Sequence, residues 1–577
     1  MNEKIQKRGF FNLNPIFEFI HKLPASDRLL FHAVLTLVIS SGIWSLVLWN
    51  DQHLHTVPAR HGVVIEGMVG NARFINPTLA NTRVDKDLTN LVFQGLVKIN
   101  PEGEIVPDLA KTITLNEAND TYTITMRQDA TFHDGRPVTA YDVVFTYNLI
   151  QNPELLSPLR GNWNNVIVEQ EDIFTITITF NEPYYPFLDN LTVGILPSHI
   201  WRNIPVNDMA FNIKNLEPIG SGTYYINNSD KTDGFISELH LKAVDSRTTP
   251  ISDLFIRLFA NQEELIKQLN NREIDATASI SDYNLNLINI HEYSHTQIPL
   301  PRVTAIVFNQ NRSEVLRDKN VREALDLLVD RQKIISKATA KTGIPNTTPI
   351  PAGYDMIESE LTSSTETLTK EDATKVAVHK LRQGGWEPTE DGVWKRNTAG
   401  EDLILSVTLK TLDHPTFSVV ADEIADMWRK AGIQVMVHKF SSNDFLDGVA
   451  RPRDFEAVLY GMDLGRSIDL YPFWHSSQQT DPGLNLAQYT SINADRNLEL
   501  LRTTFDTDSR VGIKSELISE IGSELPAIFL YTPTLNYITK NNIITTLPSM
   551  IQTVSDRWDT VNYWYSTTEK VWPWIEY

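Results

Sequence analysis

His291-Glu292-Tyr293-Ser294-His295 spells the zinc-protease pattern H-E-x-x-H, and Glu314 with Asp318 repeats the spacing that supplies a third ligand in one zincin class. That chemistry needs both imidazoles on one helical face, holding Zn²⁺, with the glutamate beside a metal-bound water. The neighbouring residues deny the helix. Ile288-Asn289-Ile290 alternates, Pro299 and Pro301 follow, and Thr304 to Phe308 has strand character, so a chance match in a loop-to-strand passage is the better reading. His53-Leu54-His55 offers too few donors for a metal. Gly220-Ser221-Gly222 lacks the strand–elbow–helix setting of a nucleophile. G-x-S-x-G, Walker A and G-x-G-x-x-G are absent, and Glu263-Glu264 reads as solvated charge on an amphipathic helix. The chain has no cysteine, which removes thiolate metal sites and thiol nucleophiles together. The expectation is a protein that is not an enzyme and carries no catalytic residues, no metal and no cofactor.

The elements that would position any site are mixed. At 577 residues the chain is too long for one core. Thr121 to Met126 and Phe174 to Phe180 alternate with period two, as half-buried strands do. Ala140 to Ile150 and Val321 to Lys337 have helical spacing; in the second, Val321, Leu325, Leu328, Ile334 and Ile335 form one stripe. The Ser/Thr/Glu-rich stretch 358–372 reads as an exposed loop. Strands and helices mixed over some five hundred residues point to an α/β architecture. The net charge of −21, with no basic stripe, argues against a nucleic-acid partner.

The N-terminus sets the compartment. Leu29 to Trp49 holds no Lys, Arg, Asp or Glu, and its 21 residues would span about 31 Å as a helix, matching a hydrocarbon core of roughly 30 Å. Lys4, Lys7, Arg8, Lys22 and Arg28 precede it, against Arg60 just beyond. The positive-inside rule then keeps residues 1–28 in the cytoplasm, makes 29–49 a transmembrane anchor in the lipid bilayer and 50–62 a stalk, and places the rest outside the membrane. A cleaved signal peptide has a shorter basic region and small residues at its cut; Leu48-Trp49-Asn50-Asp51 supplies none.

Phe132-His133-Asp134-Gly135-Arg136-Pro137-Val138-Thr139-Ala140-Tyr141-Asp142-Val143-Val144-Phe145 resembles the signature F-H-D-G-x-P-x-T-A-x-D-V-V-F. It is the mark of the family 5 extracellular solute-binding proteins of ABC importers, the oligopeptide, dipeptide and nickel class. Further fragments follow in that family's order. They include Pro218 to Tyr224, the Asp318 to Ala324 passage ending at Asp330-Arg331, Gly385-Trp386, and Phe473 to Ser477. Individually weak, they cover residues 63–577 in sequence. Locally, Asp134-Gly135 reads as a turn, Thr139 with Asp142 as a helix cap, and Asp318 as another cap.

The resemblance implies a type II periplasmic-binding-protein fold: two α/β lobes around a cleft, an extra inserted domain, and one preceding transmembrane helix. It assigns 63–83, 215–301 and 533–577 to lobe I, 84–214 to the insert and 302–532 to lobe II, with crossings near Leu300–Arg302 and Tyr531–Pro533. It also implies a membrane-anchored, extracytoplasmic subunit that captures peptides and hands them to ABC permease subunits. The implied ligand-binding residues are Asn71, Ala72, Arg73 and Asn76 on one wall, and Tyr460, Gly461, Met462 and Asp463 on the other, with Asp463 for a peptide amine and Tyr531 for stacking. The alternatives are an anchored zinc hydrolase using residues 291–295, or a ligand sensor without a transporter. A reporter fused after Tyr577 is expected outside the cell, and N-terminal sequencing of the mature protein should still read residues 1–50. A mature chain that begins near residue 50 would replace the anchor with a signal peptide.

Overall fold

A computed structural model describes residues 19, 23–354, 369–398 and 400–572. The chain forms two units, the smaller built from both ends (up to Ala59 and from Thr567) and the larger from Arg60–Ser566. In the smaller, a 29-residue helix, Ala25–His53, is long and apolar enough over Ala25–Asn50 to cross a membrane, and its Leu29, Leu37 and Trp44 side chains lie exposed. The expected stalk is partly regular structure. The helix continues to His53, because nothing before Leu54 breaks it, and His55–Pro58 then pairs antiparallel with Thr568–Val571. Trp49 and Trp572 pack with ring centroids 5.6 Å apart in the same unit. Residues 568–571 therefore join the N-terminal segment instead of the first lobe.

The larger unit holds two main sheets. Seven strands lie in the order Tyr293–Pro299, Thr534–Lys540, Ala276–Thr277, Gly62–Val69, Ile251–Phe259, Phe235–Ala243 and Tyr224–Thr232. Six lie in the order Ile344–Pro345, Ala527–Thr532, Arg302–Phe308, Ala457–Asp463, Ser406–Leu412 and Gln434–Phe440. The chain passes from the first sheet to the second between Pro299 and Arg302, and returns between Thr532 and Thr534. The Leu300 N–H donates to the Pro533 carbonyl at 2.9 Å, which ties the two crossings to each other.

Between the early strands of the first sheet, Ala110–Leu115, Thr121–Met126, Thr175–Phe180 and Val166–Gln170 form an antiparallel four-stranded sheet with its own core of Ile124, Ile176, Trp163 and Phe187. This core begins near Leu96, later than the expected boundary at residue 84. The helix Arg83–Val92 packs its stripe of Val84, Leu88, Leu91 and Val92 with Val64 and Met68 of the first sheet, so it belongs to that lobe's core. The signature's caps form as read: the Thr139 N–H and hydroxyl donate to Asp142 Oδ2 at 2.9 and 2.7 Å, opening the helix Ala140–Gln151. A Cβ on Gly220 would lie 2.0 Å from the Val92 carbonyl oxygen, so the glycine turn exists to let two backbones touch.

Two expectations change. The apolar stripe 321–337 is two helices, Lys319–Leu327 and Arg331–Ala338, because Asp330 takes an extended backbone and caps the second by accepting from Lys333 N at 2.9 Å. Of the stretch 358–372, positions up to 368 lie outside the described residues, while Lys370 to Asp372 open a helix capped by Thr369.

One buried charge cluster joins the last part of the larger unit to its first. Arg557, fully buried, places Nη1 2.8 Å from Asp87 Oδ1 and Nη2 2.8 Å from Glu66 Oε1, both acids being fully buried too. Tyr537 donates to the other Glu66 oxygen at 2.7 Å. Burial alone would push the guanidinium down, but Asp87 and Glu66 hold it well above its ordinary range. Removing one partner of such a set strands the others in low dielectric. Arg557→Met is expected to lower the unfolding free energy of the full chain by about 3–5 kcal/mol in urea titrations followed by Trp fluorescence. A loss under about 1 kcal/mol would mean that water reaches the two acids.

Candidate functional site

A cavity of about 710 Å³ opens where the two crossings meet the six-stranded sheet. Its floor comes from the ends of Arg302–Phe308 and Ala457–Asp463. The start of the helix Pro415–Lys430 supplies Phe417, and a widened helical turn supplies Leu446 and Ala450. In that turn Arg451 N donates to the Leu446 carbonyl at 3.0 Å, an i→i+5 bond of the kind that often sits at functional sites. Tyr531 and Pro533 line it from the return crossing, and Asp282 reaches it from the seven-stranded side of the fold.

The charges on this wall are mostly matched within the protein. Arg302 and Asp463 face each other on adjacent antiparallel strands, and Arg302 Nε and Nη2 each lie 2.9 Å from Asp463 Oδ2. Both side chains are about half exposed, so the pair contributes little stability and can exchange partners. Arg453 donates to the backbone carbonyls of Ala450, Gln479 and Gly483. Burial pushes the Asp282 carboxyl up, against the pull of Thr342 and Asn536. Burial likewise raises the phenols of Tyr460 and Tyr531.

Of the residues read from sequence, Tyr460, Gly461, Asp463 and Tyr531 line this cavity together. Met462 does not: at 2 % exposure it sits with Val458 in the core behind the strand, on the face opposite Gly461 and Asp463. Asn76 is also turned away. It is fully buried, donates to Asn215 Oδ1 at 3.1 Å, and accepts from the Thr78 N–H and hydroxyl, which makes it a turn-former. Asn71, Ala72 and Arg73 lie on a loop outside the cavity, with Asn71 and Arg73 exposed. That loop is pinned by Asp85 Oδ1, which accepts from Arg73 N at 2.8 Å and Phe74 N at 2.9 Å. Sequence reading missed Arg302, His414, Phe417 and Asp282, whose positions depend on elements far apart in the chain.

The H-E-x-x-H residues take up a short turn and the strand Tyr293–Pro299, not a helix. Glu292 pairs with Arg272 at 2.5 Å, and His295 Nε2 shares a 2.8 Å hydrogen bond with Asn536 Oδ1. Among the described residues no three His, Asp or Glu side chains converge as metal ligands.

The family model described as bacterial extracellular solute-binding proteins, family 5 Middle, matches residues 104–483. Over 497 residues the chain is 25% identical to the oligopeptide-binding protein AppA of Bacillus subtilis, covering 82% of this chain and 87% of that protein. The solved structure of AppA from Bacillus subtilis in complex with a nonapeptide is similar with a TM-score of 0.63 at 21% identity, over 89% of this chain and 100% of that one. NikZ from Campylobacter jejuni, in complex with Ni(L-His), is similar with a TM-score of 0.65 at 24% identity, over 87% and 99%. At these identities the two structures establish the shared two-lobed fold.

A second, polar cavity of about 300 Å³ lies between the four-stranded domain and the returning segment, lined by Lys98, Asp108, Asp189, Arg466, Asp556 and Asp559 among others. Arg466 bonds Asp556 and lies 3.9 Å from Asp189, while Ser467 N donates to Asp189 at 3.0 Å. Burial and then the neighbouring Asp556 carboxylate push the Asp559 carboxyl up to about 7, against donors from Asn90 and the Ile99 N–H. Its folded value exceeds the unfolded one of about 4. The stability it allows is therefore complete below about pH 4 and is lost as pH rises through 7. Asp559→Asn should raise the melting temperature at pH 8 while leaving it nearly unchanged at pH 4. An equal shift at both pH values would show that the aspartate titrates normally.

Proposed function

Since this chain belongs to the bacterial extracellular solute-binding proteins of family 5, we propose that it is the membrane-anchored binding subunit of an ABC importer, capturing peptides between two lobes and delivering them to permease subunits. The observation that carries this reading is the 710 Å³ cavity at the paired crossings, lined by the six-stranded sheet and faced by Asp282, which lies on the turn between two strands of the seven-stranded sheet. Its size falls within the range of ligand sites. The seven-stranded sheet, built from residues 63–92, 215–299 and 533–566, is one lobe; 302–532 is the other; and the four-stranded domain is the insert. The helix Ala25–His53 anchors the protein with its N-terminal arm in the cytoplasm and its binding unit outside.

Tyr460, Gly461, Asp463 and Tyr531 form one wall of the ligand site, and the loop Asn71–Arg73 meets the ligand from the other lobe on closure. An importer's binder must signal occupancy, so the ligand has to favour a closed form. Moving that equilibrium from 1:99 to 99:1 takes about 5.5 kcal/mol of differential binding, which contacts available only when both lobes touch the ligand can supply. A peptide ammonium is met by Asp463, sharing its carboxylate with Arg302.

With peptide bound, the radius of gyration should fall and the melting temperature should climb with peptide concentration. Asp463→Asn should weaken peptide binding about tenfold or more in calorimetry. N-acetylating the peptide should cost affinity in the natural protein but little further in the variant. Equal losses in both proteins would show that the amine and Asp463 are not partners.

A further inference from the structure

The charged groups around the 710 Å³ cavity already have partners: Arg302 has Asp463, Arg453 has three backbone carbonyls, Arg451 has Asp447, and Asp282 accepts from Asn536. What the wall offers unsatisfied is apolar surface. Leu446 and Leu484 line it at 46 % and 38 % exposure, together with the more buried Phe417, Phe445 and Leu412. Apolar side chains left open to a concave space gain free energy when an apolar group displaces the water there.

Gly461 is part of this lining, beside Phe417. It lies mid-sheet, opposite Thr304, and a Cβ built on it meets only Phe417 Cζ, at 3.7 Å. Its backbone is ordinary strand, so neither a special φ nor a close approach calls for glycine there. The missing side chain instead leaves depth in the cavity beside Phe417. A benzene ring fits an apolar cavity of roughly 150 Å³, so a volume of 710 Å³ takes a bulky side chain with backbone to spare.

We infer that this cavity is a selective pocket for one large apolar side chain of the bound peptide, such as Phe, Leu or Trp, and that Gly461 sets its depth. The inference rests on the peptide-binding reading above and names which peptides the site prefers.

The test uses the full chain in nanodiscs, offered a random mixture of five- to nine-residue peptides, with retained peptides sequenced by mass spectrometry. Retained peptides should be enriched in Phe, Leu or Trp at one fixed position. Replacing that residue by Gly in a single retained peptide should weaken binding about ten- to a hundredfold. Gly461→Leu should fill the pocket, abolish the enrichment and weaken the apolar peptide by a similar factor, while leaving the Gly-substituted peptide almost unaffected. Gly461→Ala, whose added methyl sits at ordinary contact distance, should give a smaller loss in the same direction and an unchanged melting temperature without ligand. Retention of peptides with no apolar preference, or equal losses for both peptides in Gly461→Leu, would overturn the inference and leave the peptide binder standing. Retention of no peptide by the natural protein would remove the peptide reading and this inference with it.

Discussion

A guanidinium with no access to water organises the first lobe. Arg557 lies near the end of the larger unit, whereas Glu66 and Asp87 lie on its first strand and its first helix. Between them the chain builds the four-stranded domain, completes most of one sheet, crosses to another, forms it and returns. A chain that leaves a lobe and comes back needs something to define where the return docks, and apolar surface is a poor guide because it has no direction. Two charge-assisted hydrogen bonds at 2.8 Å have direction, and burial makes any misplacement costly. Tyr537 on the returning strand supports the same acid, so the strand and the segment after it are positioned by one cluster.

The cleft follows from that closure. The two crossings are bonded to each other through Leu300 and Pro533, and the main cavity opens directly beside them. Two adjacent short connectors join the sheets, and each sheet has buried apolar clusters of its own. The same economy appears in the polar contacts. Arg302 with Asp463 is half exposed and can exchange partners, whereas Arg453 is locked onto carbonyls and shapes the loop at the cavity's edge. Groups that can exchange partners suit ligand contact, and locked groups suit framing.

Some of the site was visible in the one-dimensional order of residues, and some was not. Tyr460, Gly461, Asp463 and Tyr531 do gather around one cavity, and they came from the family resemblance, not from any local chemical pattern. Met462 and Asn76 were misplaced for identifiable reasons. A run of consecutive strand residues cannot all face one side, so Met462 had to turn to the core when its neighbours lined the cavity. Asn76 followed a loop and so looked available, but its amide closes a turn against Thr78 and Asn215, a partner 139 positions away. The H-E-x-x-H letters were read as a chance match because their neighbours deny a helix, and the five residues do lie on a short turn and a strand.

By itself the sequence determined what depends on nearest neighbours and on totals. The apolar run before Asn50, the caps at Thr139 and Asp318, the alternating strands and the absence of thiol chemistry are all local or compositional properties. Tertiary structure decided what depends on long-range partners. The docking of Arg83–Val92 into the first lobe, the pairing of 55–58 with 568–571 and the apolar character of the cavity all arise this way. The physical reason is the same in each case: a side chain's free energy is set by the groups that surround it after folding, and those groups come from other elements of the chain.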